Sequence, residues 1–221
     1  MTGFSGLNIT LPHKLAALAA AARASPDARQ IGAANTLTRE NGLDWSAHNT
    51  DVAGFSDALQ AAIGNDLKGK RVVLIGAGGA ARAAALYLER AGAMLTIVNR
   101  SKDNARALAK DLAPDAETAE LAQLGAYAED AAIVVNSASL GHAGASLPAL
   151  PAGRGRPFLD MSYGKAAEPT LSAAASAGWT AHDGLRMLVG QAGAAFRIWF
   201  GLSPDTDGAL NACRAAVAAG R

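Results

Sequence analysis

The run Val72-Val73-Leu74-Ile75-Gly76-Ala77-Gly78-Gly79-Ala80-Ala81 constrains the fold more than any other, because a glycine turn joins a short β-branched strand to an alanine-rich helix. In a dinucleotide-binding βαβ unit, Gly76 makes the tight turn and Gly78 lets backbone approach a pyrophosphate. A small third residue, here Ala81, lets helix and strand pack closely. The helix N-terminus offers N–H donors and a partial positive charge to phosphates. A glycine pattern alone is weak, and a merely structural turn is the competing reading; the strand–turn–helix setting favours nucleotide binding.

The flanking sequence extends this unit. After a linker at Gly64 to Lys70, apolar runs at Arg71 to Ile75, Met94 to Val98, Ala132 to Val135 and Pro157 to Met161 read as strands. Helical patterns at Ala80 to Arg90, Asp103 to Leu112 and Pro169 to Ala177 alternate with them, which implies a parallel sheet covered on both faces. At the end of the second strand an NAD site places an acid for the ribose hydroxyl, whereas an NADP site uses arginine for the 2′-phosphate. The chain has Asn99-Arg100-Ser101-Lys102 there, which favours NADP over NAD, with a solvated strand end as the plainer alternative.

The segment before the linker is organised differently. Lys14 to Arg23 is expected to be a helix broken by Ser25-Pro26-Asp27. Ile31 to Arg39 and Leu43 to His48 form a hairpin about Glu40-Asn41-Gly42, whose Asn-Gly pair favours a φ > 0 turn. Asp51 is placed as the N-cap of a helix running through Leu59. Helices are expected from about Leu185 to Gly201, carrying Gln191, Phe196 and Trp199, and from about Asp207 to Ala219.

Lys14 and Asp51, lying in polar runs just ahead of a nucleotide-binding pattern, point to proton transfer at a carbonyl. A positioned ammonium stabilises and protonates the oxygen that gains charge as hydride reaches the carbon. Its amine must also release a proton, which burial or a nearby cation promotes and Asp51 alone opposes. Taken singly, Lys14 reads more readily as a solvated lysine at a helix start, Asp51 as a cap, and Asn49 and Thr50 as turn residues; the motif taken as a whole reverses that preference.

Composition removes several function classes. In 221 residues Lys plus Arg number 20 and Asp plus Glu 19, a balance with no general field for nucleic acid or an anionic membrane. Half the residues are hydrophobic, enough for an ordinary core. Cys213 is the only cysteine, which excludes an internal disulfide and fits a reducing compartment, with the cytoplasm as the expected location. No apolar run reaches about 18 residues, and the first residues lack the pattern of a secretory signal. His13, His48, His142 and His182 lack metal-ligand spacing, so no metal is expected; Cys213 reads as a packing residue, and Trp199, Phe196 and Phe200 as core.

Six motifs together resemble the shikimate dehydrogenase family: Gly6-Leu7-Asn8-Ile9-Thr10-Leu11-Pro12-His13-Lys14, Gly32-Ala33-Ala34-Asn35-Thr36-Leu37, Asn49-Thr50-Asp51-Val52-Ala53-Gly54, Gly76-Ala77-Gly78-Gly79-Ala80, Asn99-Arg100-Ser101 and Asp183-Gly184-Leu185-Arg186-Met187-Leu188-Val189-Gly190-Gln191. The resemblance covers nearly the whole chain. It implies reversible, NADP-linked interconversion of 3-dehydroshikimate and shikimate, a step towards chorismate and the aromatic amino acids. It further implies that Lys14 and Asp51 are the catalytic pair and that Thr10, Asn35, Tyr163 and Gln191 contact substrate. Gly76, Ala77, Gly78, Gly79 and Ala80, with Asn99, Arg100, Ser101, Lys102 and Asn104, would hold the cofactor, and Met161 and Gly184 would line its nicotinamide end. Asp51 is assigned to orienting the substrate hydroxyl and the amine, and Lys14 to proton transfer.

The implied architecture is α/β, a Rossmann-type doubly wound parallel sheet plus a smaller substrate domain. Residues 1–51 would open the substrate domain, 52–184 bind NADP, and 185–221 return as helices. Family members begin with a further segment bearing a strand and a Ser-x-Ser turn that grips the substrate carboxylate. This chain starts after it, so the substrate domain is expected to be N-terminally truncated, with an uncovered sheet edge and weakened substrate affinity. Members also often carry an arginine where Asn104 stands; Lys102 would take part of that load, leaving NADP preference weakened but not reversed. Alternatives are a quinate or shikimate dehydrogenase using NAD, against which Asn99-Arg100 argues, and an NADP-binding protein with little activity. The expected partner is a small molecule, with no nucleic acid or membrane, in a monomer or homodimer.

Overall fold

Short strands of mixed polarity before residue 50 form one small sheet, whereas the continuous apolar runs after residue 70 form a larger one. The computed structural model describes residues 4–10, 12–40, 44–138 and 147–220. The first sheet has the order β1-β3-β4-β2, from β1 (Gly6–Asn8), β2 (Arg23–Ala24), β3 (Thr36–Glu40) and β4 (Asp44–His48). β3 and β4 pair antiparallel, Thr36 opposite His48 and Arg39 opposite Trp45, as expected of a hairpin. The Asn41-Gly42 pair expected to turn it, along with Leu43, Leu11 and His142, lies outside the described residues.

Four local expectations are corrected. α1 (Lys14–Ala20) stops short of Arg23, because Arg23 and Ala24 leave the helix to pair in parallel with Ser46 and Ala47. Ser25-Pro26-Asp27 opens a helix rather than only ending one. The Ser25 hydroxyl accepts from the Ala28 N–H at 3.2 Å, and Pro26 takes the first position of α2 (Pro26–Ile31), where its missing N–H costs nothing. α2, in turn, holds Ile31, so the first hairpin strand begins only at Thr36. In α3 (Asp51–Ile63) Thr50 is the N-cap and makes no side-chain cap bond; Asp51 is the first helical residue, leaving its carboxylate free to face elsewhere.

The second sheet is wholly parallel: β5 (Arg71–Ile75), β6 (Met94–Asn99), β7 (Glu117–Glu120), β8 (Ile133–Asn136), β9 (Pro157–Asp160) and β10 (Thr180–His182), in the order β10-β9-β8-β5-β6-β7. This is the order of a doubly wound dinucleotide-binding sheet, reversing between β5 and β8. Alternation along β5 divides the core between its faces. Val72 and Leu74 pack with Leu95, Ile97, Ile133 and Val135 beneath α3, α4 (Gly79–Arg90) and α5 (Lys102–Leu112). Val73 and Ile75 pack with Val98, Val134 and Phe158 against α6 (Leu124–Ala128) and α7 (Glu168–Ser176). Ala81, Ala83, Ala84 and Ala85 are fully buried, so the small side chains of α4 bring it close to the sheet. β7 and β10 gave no apolar signal because they are the outer strands; in β7 only Ala119 is buried.

α8 (Leu185–Phe200) returns the chain to the first sheet, and α9 (Thr206–Ala218) packs along it. The Trp199 indole N–H donates to the Leu37 carbonyl at 3.0 Å, and its ring fills the space a side chain on Gly6 would need. Phe196 and Phe200 are not the core residues expected; they are 36% and 59% exposed, although the Phe200 ring meets Trp199 edge-on at 6.4 Å between centroids. Among the described residues no helix is long and apolar enough to cross a membrane.

Candidate active site

Helix starts and strand ends deliver the polar residues to one cleft of about 360 Å³ between the two sheets. Lys14 is the first residue of α1 and Asp51 the first of α3, 37 positions apart in sequence. Lys14 Nζ lies 2.6 Å from Asp51 Oδ2, with the two side chains 17% and 6% exposed. A carboxylate at a helix start is favoured by the helix dipole. The Asp51 N–H is held by the Asn49 side chain at 3.0 Å, which fixes the helix entry. The other two Nζ–H donors of Lys14 have no partner among the described residues.

Asn35 organises the floor of the cleft. It is 4% exposed, just before β3, and its Oδ1 accepts the Thr50 N–H at 2.8 Å and the Thr36 hydroxyl at 3.0 Å. Its amide nitrogen lies 2.9 Å from Asp51 Oδ1 and 3.0 Å from Gln191 Oε1. Gln191 reaches this point because α3 and α8 cross at two glycines; a Cβ on Gly54 would collide with the Met187 carbonyl oxygen and stand 2.8 Å from the Gln191 nitrogen.

Six residues expected to act on substrate, Lys14, Asp51, Thr10, Asn35, Tyr163 and Gln191, line this cleft together, as do Met161 and Gly184. Asn8, Ile9, Met187 and Leu188 also line it and were not singled out. The signal for the last two was available, since Met187 and Leu188 lie four and three residues before Gln191 on one helix face. His182 ends β10 two residues before Gly184; burial pushes its imidazole below the ordinary value of 6.5, and neighbouring Asp183 opposes that shift.

The remaining residues do not line the cleft; they gather at the C-terminal ends of β5 and β6. Gly76, at φ 106°, has Ser137 Oγ 2.6 Å from where a Cβ would stand, so only glycine fits the turn. Gly78 caps α4 without a side-chain bond, and a Cβ on Gly78 or Gly79 would meet nothing within 4 Å, so backbone N–H groups stand open there. Asn99 donates to the Ser101 carbonyl at 2.9 Å, Ser101 caps α5, and Arg100 and Lys102 form no ion pair among the described residues. An open helix start beside the cations Arg100 and Lys102 fits a dinucleotide with an added phosphate.

Comparisons with known proteins agree with this layout. The chain matches models of the shikimate dehydrogenase substrate binding domain over residues 1–37, shikimate/quinate 5-dehydrogenase over 58–144, and the shikimate 5′-dehydrogenase C-terminal domain over 184–214. A shikimate dehydrogenase (NADP(+)) of Hyphomonas neptunium is 47% identical over 219 residues, 98% of this chain and 79% of that protein. The crystal structure of shikimate 5-dehydrogenase from Thermus thermophilus in complex with NADP(H) and shikimate superposes with a TM-score of 0.81 at 38% identity, covering 97% of this chain and 80% of that one. Quinate dehydrogenase from Corynebacterium glutamicum in complex with NAD superposes with a TM-score of 0.82 at 30% identity, covering 95% and 77%.

Proposed function

The chain belongs to the shikimate dehydrogenase family, and from that premise we propose that it interconverts 3-dehydroshikimate and shikimate with NADP, a step of aromatic amino acid biosynthesis. The observation that carries the reading is the part-buried Lys14–Asp51 pair, presented to a cleft whose other polar groups, Asn35 and Gln191, suit the hydroxyls of a polyol acid.

Bound at the Gly76–Ala80 turn and Asn99–Asn104, NADPH would supply the hydride that reaches the ketone carbon. Lys14 then transfers a proton from Nζ to the ketone oxygen, and in the reverse direction the neutral amine takes the hydroxyl proton. Asp51 acts by orientation: Oδ2 holds the Lys14 ammonium and Oδ1 the Asn35 amide. Asn35, Gln191, Thr10 and Tyr163 are assigned to substrate, and Met161 and Gly184 to the wall beside the reacting carbon. Arg100, with Lys102, would meet the 2′-phosphate, which favours NADP over NAD.

The division at residues 51 and 184 into substrate, cofactor and returning segments is part of the proposal, as are a cytoplasmic location and a monomeric or homodimeric state. An assay of shikimate oxidation with NADP⁺, alongside quinate with NAD⁺, tests the function. Turnover of shikimate with NADP⁺ is expected; tight NADPH binding without turnover, or faster turnover of quinate with NAD⁺, overturns it.

A further inference from the structure

The part of the cleft wall formed by Met161 and Tyr163 hangs from a carboxylate that the mechanism does not use. Asp160 ends β9 and is 1% exposed, and among the described residues its partners are all neutral donors. Oδ1 accepts the Ser162 N–H at 2.8 Å; Oδ2 accepts the Asn136 amide at 2.9 Å and the Thr170 hydroxyl. A buried carboxylate without a cation is costly unless donors satisfy it, and these come from three separate segments. If the strand end needed only filling, an apolar side chain would serve at lower cost.

Two of these donors, Asn136 and Ser162, tie the two halves of the site together. Asn136 ends β8, beside β5 at the reversal of the sheet, and its carbonyl accepts the Met161 N–H at 2.8 Å. The next residue, Ser137, donates to the Ile75 carbonyl at 2.6 Å and packs over Gly76, the first residue of the cofactor turn. On the other side, Ser162 accepts the Gly184 N–H at 2.8 Å, and Gly184 lies against the Met161 carbonyl too closely for any side chain. Met161, Tyr163 and Gly184 are cleft walls, and all three are reached from Asp160 within two links.

We infer that Asp160 is a positioning residue, whose buried carboxylate holds the Met161–Tyr163 wall in register with the Gly76 turn, so that cofactor and substrate meet in one geometry. The inference rests on the proposed function for its consequence in turnover, but not for the ordering of the wall.

The test compares the wild-type chain with Asp160→Asn, Thr170→Val and the exchange Asn136→Asp/Asp160→Asn, which restores an amide–carboxylate pair with its polarity reversed. For Asp160→Asn, kcat/KM for shikimate should fall roughly 10- to 100-fold, the scale of a misplacement near 1 Å, while the Kd for NADP⁺ stays within about threefold. Thr170→Val should lose less in the same direction, and the exchange should recover part of the loss. A lowered Tm with unchanged kcat/KM, or equal losses in kcat/KM and NADP⁺ affinity, overturns the inference. Absence of wild-type turnover would instead count against the proposed function. Hydrogen exchange then decides the inference: at least about tenfold faster exchange at the Ser162 amide of Asp160→Asn, with β5 amides unchanged, supports it, and unchanged exchange at Ser162 overturns it.

Discussion

Gly190 of α8 meets Gly54 of α3 so closely that a Cβ on Gly190 would stand 3.0 Å from the Gly54 Cα and 2.7 Å from the Asp57 carboxylate. Neither glycine has a positive φ, so each serves close approach of two helices rather than backbone conformation. The contact sets how far Gln191, one residue on, reaches towards Asn35.

Gly190→Ala should therefore push α8 from α3. Overpacking of this kind costs about 1–3 kcal/mol, and withdrawal of Gln191 should raise the KM for shikimate more than it lowers kcat. Denaturation midpoints and steady-state kinetics on one preparation check both; unchanged KM with full stability would show that the crossing has slack.

Lys14→Ala should reduce kcat by about 10²–10⁴, the usual contribution of a positioned proton donor. Lys14 does not line the Gly76 turn, so affinity for NADP⁺ in a fluorescence titration should hold within about threefold. Equal losses in turnover and cofactor affinity would remove Lys14 from the proton-transfer role.

Arg100→Ala should weaken NADP⁺ binding about tenfold while NAD⁺ binding changes little, because only NADP⁺ carries the charge that Arg100 would meet. Arg100 is exposed, so the difference should shrink as salt is raised. Equal weakening of both cofactors would place the arginine elsewhere.

His182 links stability to acid. Burial depresses its folded value below 6.5, so between that lowered value and 6.5 the unfolded chain binds the extra proton. This contribution is fully present above about pH 6.5 and is lost as pH falls through the depressed value. Melting temperatures measured across the range should fall more steeply with acid in the wild type than in His182→Gln. Parallel curves would mean the imidazole protonates equally in both states.

Ser25→Ala should cost about 1 kcal/mol by freeing the Ala28 N–H at the start of α2. Chemical denaturation checks it; no loss would mean water replaces the hydroxyl at no cost.

Local rules found the centre of the large sheet and missed its rim. Arg71 to Ile75 is a strand over the bounds its β-branched run predicted, since a central parallel strand is apolar on both faces. Glu117 to Glu120 and Thr180 to His182 are strands only because a neighbour pairs with them, and their polar residues carry no period to read. Arg23 and Ala24 likewise left an expected helix for a partner far along the chain. Asp51 was legible as a helix start from its neighbours, whereas its pairing with Lys14, 37 positions away, was expected only through the resemblance.

Residue order alone was enough to name the turn at Gly76 and the strand and helix it joins, because each depends on neighbours within a few positions; the polar residues of the cleft were named through the resemblance to a family, motif by motif. Residue order could not bring Lys14, Asn35, Asp51 and Gln191 into one hydrogen-bonded group. That arrangement depends on packing between elements, chiefly the α3–α8 crossing at two glycines, where the absence of side chains lets separate polar residues meet.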